Sequence, residues 1–424
     1  MVAAADRIDL EPDARPPRRA LVFSGGGARG AYEAGVVRYL VEELPKRIGR
    51  EPRFDILCGT SVGAIHACYM AGTAQQGPSR GIQLVDFWRT MKIEQVLPFS
   101  RRDLFDLARR VVGVRRMAEL LRGASVPDRI YGMLNTRALE RMVVRAVPWR
   151  RIRSNVNDGH VDAVAVAATE IATGRVVVFL ESRDRALPGW LPDPTIVPEL
   201  THLRPTHALA SAAIPLLFPA VRIANSFYAD GGLRLNTPLA PAIRLGADKV
   251  LVVALRRDAH HATEATLATH RVDDYANPFY LFGKLLNAIL LDHMDGDIAR
   301  MRVMNEMIRD GAQAFGPAFL DRLNAVSESH RGQRFRVIDD LVIRPSADLG
   351  ALAGEVLKSI PHAGLRSPLF RLAMRGLGGT PGRNAESDIF SYLLFDGDFL
   401  APLAELGYRD AAAQEEELVR FFED

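Results

Sequence analysis

Near its start the sequence repeats one arrangement twice: a short apolar run, a stop at glycine, and then a helical pattern. The apolar runs occupy residues 20–24 and 54–58, and apolar residues at helical spacing follow over 31–44 and 64–70. Short apolar runs that end at glycine are typical of buried strands. Strands that alternate with helices favour a parallel sheet with helices on both faces, so we predict an α/β protein. Pro45 is expected to end the first helix.

Composition excludes several classes of protein. The net charge is +3 and 25% of the residues are charged, so the balance gives no reason to expect a nucleic-acid partner. Two cysteines cannot make a disulfide framework or a zinc site, which favours a reducing compartment. No run reaches the roughly 18 unbroken apolar residues of a membrane span, and residues 1–19 lack the apolar segment of a signal peptide. We therefore predict a cytoplasmic protein; its oligomeric state is not specified by the sequence.

The first motif is the loop Gly25-Gly26-Gly27-Ala28-Arg29-Gly30, between a predicted strand and a predicted helix. Glycines let the backbone fold tightly, and N–H groups at a helix start attract negative charge, so the loop is a candidate anion cradle. The same string matches the G-x-G-x-x-G fingerprint of dinucleotide-binding proteins. A simple tight turn between strand and helix is the remaining interpretation.

The second motif is Gly59-Thr60-Ser61-Val62-Gly63, a G-x-S-x-G sequence that follows the strand predicted at 54–58. A serine on a sharp strand-to-helix turn exposes its Oγ and gains the field of the helix N-terminus. The flanking glycines, Gly59 and Gly63, leave room for the turn and for substrate. An ordinary glycine turn is the alternative.

The third motif is Asp230-Gly231-Gly232, directly after the apolar run that ends at Ala229. A carboxylate at a strand end can act as a general base when it lies near the serine. Asp-Gly is also a common turn signal, so this motif has little weight by itself.

Taken in this order, the three motifs resemble the signatures of the patatin-like phospholipase family. The family's oxyanion loop, its G-T-S-x-G and its D-G-G/A correspond to residues 24–30, 59–63 and 230–232, and residues 210–215 resemble its A-S-x-A-x-P segment. The resemblance covers about residues 19–255. It implies an α/β three-layer sandwich with a mostly parallel central sheet, to which the sequence adds a largely helical C-terminal extension.

The resemblance also implies a chemistry, which is hydrolysis of fatty-acyl esters of lipids by a Ser–Asp dyad without histidine. Ser61 would attack the ester and form an acyl-enzyme, and Asp230 would accept the serine proton. The oxyanion would be held by the backbone N–H groups of Gly26, Gly27 and Ala28. Arg29 is expected to brace the loop. The implied partner is a lipid substrate, and no metal or cofactor is required.

The domain organisation follows from the motifs and the periodicity. Residues 1–18 are expected to be a flexible polar tail, and residues 19–350 the catalytic domain. Helical insertions are expected near 80–150 and 256–335, and residues 351–424 form the helical extension. Later strands of the sheet are expected at the following positions: 161–168, 176–180, 227–229, 249–253 and 336–343.

Two other functions compete with the hydrolase. A dinucleotide-binding oxidoreductase would need an acidic residue at the end of the strand after the loop, whereas Asp55 stands at that strand's start. A non-catalytic lipid-binding regulator of the same fold is disfavoured by the intact serine and aspartate. The histidines are interpreted as structural or surface residues, and His66 lies five positions from Ser61, off the same helix face. The chemistry also permits a histidine as the base of a conventional triad, because the order of triad residues varies between folds.

Residues 101–122 are a candidate for peripheral contact with an anionic membrane. They combine apolar residues at helical spacing with seven arginines and three acidic residues. Basic amphipathic helices can lie on anionic bilayers, although a packed helix with a solvated basic face is the simpler interpretation. The apolar stretch at 279–291 is expected to be buried.

Overall fold

The computed structural model describes residues 15–92, 129–130, 137–184, 187, 190, 194–215, 217–257, 294–331, 334–359 and 387–423. The stretches 101–122 and 279–291 lie outside these residues, as does His293.

Ten strands in the described part of the chain form one sheet, and fourteen helices surround it. The strands are β1 (Arg19–Phe23), β2 (Ile56–Thr60), β3 (Arg129–Ile130), β4 (Ala163–Glu170), β5 (Val176–Ser182), β6 (Ile196–Leu200), β7 (Ala220–Ile223), β8 (Ser226–Asp230), β9 (Lys249–Val253) and β10 (Asp339–Ile343). The helices are α1 (Gly30–Glu42), α2 (Leu44–Ile48), α3 (Val62–Gly72), α4 (Ser79–Arg89), α5 (Arg137–Ala146), α6 (Trp149–Asn157), α7 (Pro205–Ser211), α8 (Leu239–Arg244), α9 (Met294–Phe315), α10 (Phe319–Arg331), α11 (Leu349–Ser359), α12 (Ser387–Leu393), α13 (Gly397–Ala413) and α14 (Glu415–Phe422).

The centre of the sheet is parallel and one side is antiparallel. Strands β10, β9, β1, β2 and β4 are hydrogen-bonded neighbours in that order, and each neighbouring pair is parallel. The other partners of β4 are antiparallel to it. Strand β8, which pairs with β7, continues along the same edge of β4 as β2, and β5 pairs along the opposite edge. The predicted α/β fold with a mostly parallel central sheet is therefore confirmed.

Both faces of the sheet are buried under helices, because successive side chains of a strand point to opposite faces. On β1, Leu21 and Phe23 join a core that includes residues of α1, α3 and α13. Ala20 and Val22 point the other way, into a second core with residues of α8 and α9. A strand buried on both sides reads as a continuous apolar run, which is why β1 was visible in the sequence.

The register around β4 decides where the functional residues meet. Strand β2 runs parallel to β4 and ends with Thr60 paired to Ala167. Strand β8 runs antiparallel to β4 and ends with Asp230 paired to Ala168. Since β5 pairs along the other edge of β4, the carboxyl ends of β2 and β8 meet head to head on one edge. Ser61 follows Thr60, so this register brings it beside Asp230.

The described C-terminal helices pack against the central unit. A Cβ at Gly35 of α1 would lie 1.8 Å from the carbonyl oxygen of Ala404, and one at Gly407 of α13 would lie 2.0 Å from that of Tyr32. Helices α1 and α13 therefore approach backbone to backbone, which only glycine permits at these two positions. The described part of 351–424 is helical and shares the core of α1.

Some element boundaries differ from the sequence prediction. Pro45 does not simply end a helix: α1 ends at Glu42, and Pro45 occupies the first turn of α2, where a missing N–H costs nothing. Strands β3, β6 and β7 were not predicted. Pro198 lies inside β6 and hid that strand, because proline is compatible mainly with sheet edges. None of the helices in the described ranges combines the length and apolar character that a membrane crossing requires.

Candidate active site

Ser61 sits at the sharp turn between β2 and α3. Its backbone has φ 55° and ψ −123°, a left-handed conformation that is strained for a residue with a side chain. The turn is possible because two backbones come very close. A Cβ at Gly59 would lie 2.1 Å from the carbonyl oxygen of Gly63, and a Cβ at Gly63 would lie 2.6 Å from that of Phe23. Both glycines of the G-x-S-x-G motif are therefore required by packing.

The hydroxyl of Ser61 is hydrogen-bonded to Asp230. Ser61 Oγ donates to Asp230 Oδ2 at 2.7 Å, and the second carboxylate oxygen accepts the backbone N–H of Gly232 at 2.7 Å. The backbone of Asp230 is fixed as well, since its N–H donates to Ala213 and its C=O accepts from the Thr169 hydroxyl. A Cβ at Gly231 would lie 2.2 Å from the carbonyl oxygen of Ala167, so glycine is required there too.

Asp230 is completely buried, which changes its acidity. Desolvation raises the pKa of Asp230 from its ordinary 3.8 to about 7, against the opposing effect of the hydrogen bonds from Ser61 and Gly232. A carboxylate with a pKa near neutrality is a stronger base than one with an ordinary pKa and is still substantially ionised at neutral pH. The site therefore holds a hydroxyl against a group able to take its proton.

Ser211 is a site residue whose role the sequence did not reveal. Its Oγ accepts the backbone N–H of Ser61 at 2.8 Å and donates to the carbonyl of Ala167 at 2.6 Å. It thus ties the strained turn to β4 and satisfies an N–H group at the start of α3. The residue lies in the 210–215 segment, so its position in the motif was visible although its contact was not.

The glycine-rich loop lies beside the serine turn. A Cβ at Gly25 would lie 3.1 Å from the Cβ of Ser61. Within the described part of the chain, no acceptor is bonded to the backbone N–H groups of Gly26, Gly27 and Ala28. Gly27 has φ 57°, and a Cβ there would lie 2.4 Å from the carbonyl oxygen of Tyr392. N–H groups without a bonded acceptor, close to a serine hydroxyl, are what an oxyanion hole requires.

The start of α1 is also tightly packed. A Cβ at Gly30 would lie 2.4 Å from a methyl carbon of Val62, so the last glycine of the loop permits contact between α1 and α3. Arg29 is buried; its Nε donates to Ser391 Oγ at 2.8 Å, and its guanidinium lies 4.2 Å from the ring centre of Tyr392. Arg29 thus links the loop to α12.

None of His66, His202 and His207 is hydrogen-bonded to Ser61. His66 bonds to Glu33 and Trp88. His207 accepts the backbone N–H of Arg204 at the start of α7 and lies against Phe179. His202 pairs with Glu181.

The dinucleotide alternative finds no support in the geometry. Asp55 precedes β2 rather than ending it, and its carboxylate accepts the backbone N–H of Arg19 at the start of β1. It therefore lies at the end of the strands opposite the glycine-rich loop, where it cannot bind a ribose placed on that loop. Among the described residues there is also no group of three or more side chains that would hold a metal ion.

Comparison with known proteins identifies the family. The model of the patatin-like phospholipase family matches residues 21–243, and the chain belongs to that family. A cGAMP-activated phospholipase of Pseudomonas aeruginosa (strain BWHPSA011 / Pa011) is 27% identical over 226 residues, which cover 53% of this chain and 55% of that protein. The chain thus matches about half the length of that curated relative.

Two solved structures are also similar. Human GIVD cytosolic phospholipase A2, in complex with methyl gamma-linolenyl fluorophosphonate, matches over 97% of this chain and 60% of its own, with 13% identity and a TM-score of 0.40. VipD from Legionella pneumophila matches over 64% of this chain and 56% of its own, with 16% identity and a TM-score of 0.32. TM-scores this low give no basis for an argument about function.

Proposed function

We propose that this protein is a serine acyl hydrolase that cleaves fatty-acyl esters of phospholipids through a Ser61–Asp230 dyad. The observation that carries the proposal is the 2.7 Å hydrogen bond from Ser61 Oγ to Asp230 Oδ2, made at a strained strand-to-helix turn. Membership of the patatin-like phospholipase family supports a lipid ester as substrate.

The reaction follows from these contacts. Asp230 accepts the proton of Ser61 while Oγ attacks the ester carbonyl, and the tetrahedral oxyanion is held by the N–H groups of Gly26, Gly27 and Ala28. Each such donor contributes about 3 kcal/mol to stabilising the transition state. Collapse of the intermediate breaks the ester bond, and Asp230 returns the proton to the leaving alcohol. Water, deprotonated by Asp230, then attacks the acyl carbon. The bond from that carbon to Ser61 Oγ breaks, Asp230 returns the proton to Oγ, and the fatty acid is released.

Labelling with a fluorophosphonate probe tests the proposal. The wild-type protein should be labelled at Ser61 and should release fatty acid from phospholipid vesicles, and Ser61→Ala should do neither. Ser154→Ala is a matched control, because Ser154 is exposed and its Oγ bonds only to a carbonyl of its own helix among the described residues. A wild-type protein that binds vesicles without being labelled would favour the non-catalytic regulator.

The curated relative also suggests that the assay should be run with a cyclic dinucleotide. That protein is called a cGAMP-activated phospholipase. Activation by a cyclic dinucleotide is a proposal for this chain, so labelling and fatty-acid release are measured with and without cGAMP. Equal rates with and without cGAMP would contradict activation by the nucleotide but would not contradict the hydrolase function.

Peripheral contact with anionic membranes through residues 101–122 is a further part of the proposal. Its support is the excess of arginine over acidic residues in that stretch. Replacing Arg109, Arg110, Arg115 and Arg116 by Gln should weaken binding to anionic vesicles and leave hydrolysis of a soluble short-chain ester intact. Unchanged vesicle binding would contradict this role. A cytoplasmic location stays a prediction.

A further inference from the structure

A second completely buried carboxylate, Glu33, lies under the glycine-rich loop and is not used in the mechanism above. Its Oε1 accepts the backbone N–H of Ser24 at 2.9 Å, at the point where β1 ends and the loop begins. Its Oε2 lies 2.7 Å from Nδ1 of His66 on α3. The other ring nitrogen of His66, Nε2, accepts the indole N–H of Trp88 on α4 at 3.0 Å.

The hydrogen bonds fix the tautomer of His66. An indole nitrogen can only donate, so Nε2 of His66 must be the acceptor and carries no hydrogen. In the neutral ring the hydrogen is then on Nδ1, which donates to Glu33. The ring is neutral because burial lowers the pKa of His66 to about 3. Glu33 therefore accepts from two groups that can only donate, the Ser24 N–H and the His66 Nδ1–H.

This chain of bonds connects the two parts that acyl transfer must keep in register. Ser24 begins the loop whose N–H groups face the oxyanion, and His66 lies on the helix whose first turn presents Ser61. Glu33 belongs to α1 and Trp88 to α4, and α1 packs against both α3 and α4. The edge-to-face contacts of His66 with Phe23 and Trp88 hold the ring in place.

We propose that Glu33, His66 and Trp88 form a positioning network that holds the oxyanion loop in register with the nucleophile, with His66 locked as its Nδ1–H tautomer. The proposal rests on the hydrolase function above. None of the three residues touches the reacting atoms, so they act through Ser24 and α3.

A substitution at Glu33 can create a conflict in this network, in which two hydrogen-bond donors face each other. In Glu33→Gln the side chain has one acceptor and one donor group, so it cannot accept from both Ser24 and His66. His66 cannot resolve the conflict by moving its hydrogen to Nε2, because the Trp88 N–H points there. Removing that indole N–H with Trp88→Phe frees the tautomer, and His66 Nδ1 can then accept from the glutamine.

The test is a double-mutant cycle on Glu33→Gln and Trp88→Phe, read as kcat and KM on a soluble ester. Glu33→Gln alone should lower kcat by about tenfold or more, with KM within about twofold, because the transition-state groups are misplaced. Adding Trp88→Phe should raise kcat again by about threefold to tenfold, a favourable coupling between neighbours in one network. If the two substitutions acted independently, their separate effects on kcat would instead multiply.

Trp149→Phe is the matched control for the rescue. The Trp149 indole N–H is buried without an acceptor in the described part of the chain, and its loss should not restore Glu33→Gln. Ring-nitrogen NMR of histidine-labelled wild-type protein, with His66 assigned by its absence in His66→Gln, should give the Nδ1–H tautomer, and this needs no variant of Glu33 to fold.

The outcomes separate this proposal from the hydrolase itself. A wild-type protein that fluorophosphonate does not label overturns the hydrolase and, with it, the positioning role. A labelled wild type whose double variant is no faster than Glu33→Gln overturns the network alone. So does an Nε2–H signal for His66.

Discussion

The molecule contains two buried carboxylates that are alike in surroundings and different in partners. Asp230 and Glu33 are both completely buried, and each accepts two hydrogen bonds. One partner of Asp230 is the hydroxyl of Ser61, which can either donate or accept. Both partners of Glu33 can only donate.

The difference teaches that burial alone does not make a carboxylate a catalytic base. A hydroxyl can lose its proton to Asp230 and become a nucleophile, whereas the N–H groups around Glu33 have no such use. The same difference decides what an amide substitution does. Asn at position 230 can accept from Gly232 and donate to Ser61, but Gln at position 33 must leave one donor unpaired.

The largest expected effect comes from Asp230→Asn. Activity should fall by about 10⁴-fold or more, because loss of one member of a catalytic triad costs about 10⁴-fold to 10⁶-fold. Stability should increase instead. Because burial raises the folded-state pKa of Asp230 to about 7 from an ordinary 3.8, ionising this carboxyl destabilises the fold as pH rises between those values. The asparagine avoids this cost, on the order of a few kcal/mol, above pH 7 and gains nothing below pH 4.

Denaturant unfolding at pH 8 and at pH 4, beside the ester assay, measures both effects of Asp230→Asn. An Asp230→Asn variant that keeps wild-type activity would show that Asp230 is not the base. A variant that is less stable at pH 8 than the wild type would contradict the inference that ionising Asp230 destabilises the fold.

The next effect concerns the glycine-rich loop, whose first residues contact Glu33 and Ser61. In Gly27→Ala the new Cβ would meet the carbonyl oxygen of Tyr392 and require a left-handed backbone, so the N–H groups must shift. We expect kcat to fall by about 100-fold, the cost of losing an oxyanion donor. Gly49→Ala is the control, since Gly49 also has positive φ but nothing within 4 Å. Equal kcat values for both variants would show that the loop does not hold the oxyanion.

The pH profile distinguishes the two carboxylates directly. Only the ionised form of Asp230 accepts the proton of Ser61, so kcat/KM should rise with pH and level off above about 7. At pH 6 the wild type should be about tenfold slower than on the plateau. Burial raises the pKa of Glu33 as well, so the Glu33→Gln variant separates the two groups. If Asp230 is the group that titrates, Glu33→Gln should lower the plateau and keep the midpoint. A midpoint that moves in Glu33→Gln would show that the titrating group is Glu33 rather than Asp230.

The smallest effect is expected at a third carboxylate that also pairs with a histidine. His202 Nδ1 lies 3.0 Å from Glu181 Oε1, the kind of pair that orients the base of a catalytic triad. The side chain of His202 is half exposed and has no contact with Ser61 among the described residues. His202→Gln should retain kcat/KM within about twofold of wild type. A loss of several orders of magnitude would restore a triad in place of the dyad.

The positions of the main strand ends could be predicted from the sequence. The glycine loop, the serine turn and Asp230 each follow a short apolar run, and the sheet register brings such ends together. The C-terminal helical region was predicted for its periodicity, but its contact with the loop was not. Arg29 and Ser391 are 362 residues apart, and no local pattern records a partner at that distance.

The Glu33–His66–Trp88 network was invisible for a different reason. Its members lie on three separate helices, and each is a single polar residue in an apolar stretch. His66 was interpreted as structural from its spacing to Ser61. The spacing correctly separates it from Ser61 but carries no information about Glu33. A buried polar side chain implies some partner, and only the fold says which.

The contact between the loop and α12 joins two segments that are synthesised at different times. The ribosome releases the strands and turns that carry Ser61 and Asp230 well before residues 387–423. Until those residues emerge, Gly27 has no Tyr392 carbonyl against it and Arg29 lacks its contacts with Ser391 and Tyr392. Domains generally fold in sequence as synthesis proceeds. A nascent or prematurely terminated chain would therefore carry Ser61 and Asp230 while the glycine-rich loop lacks these supports.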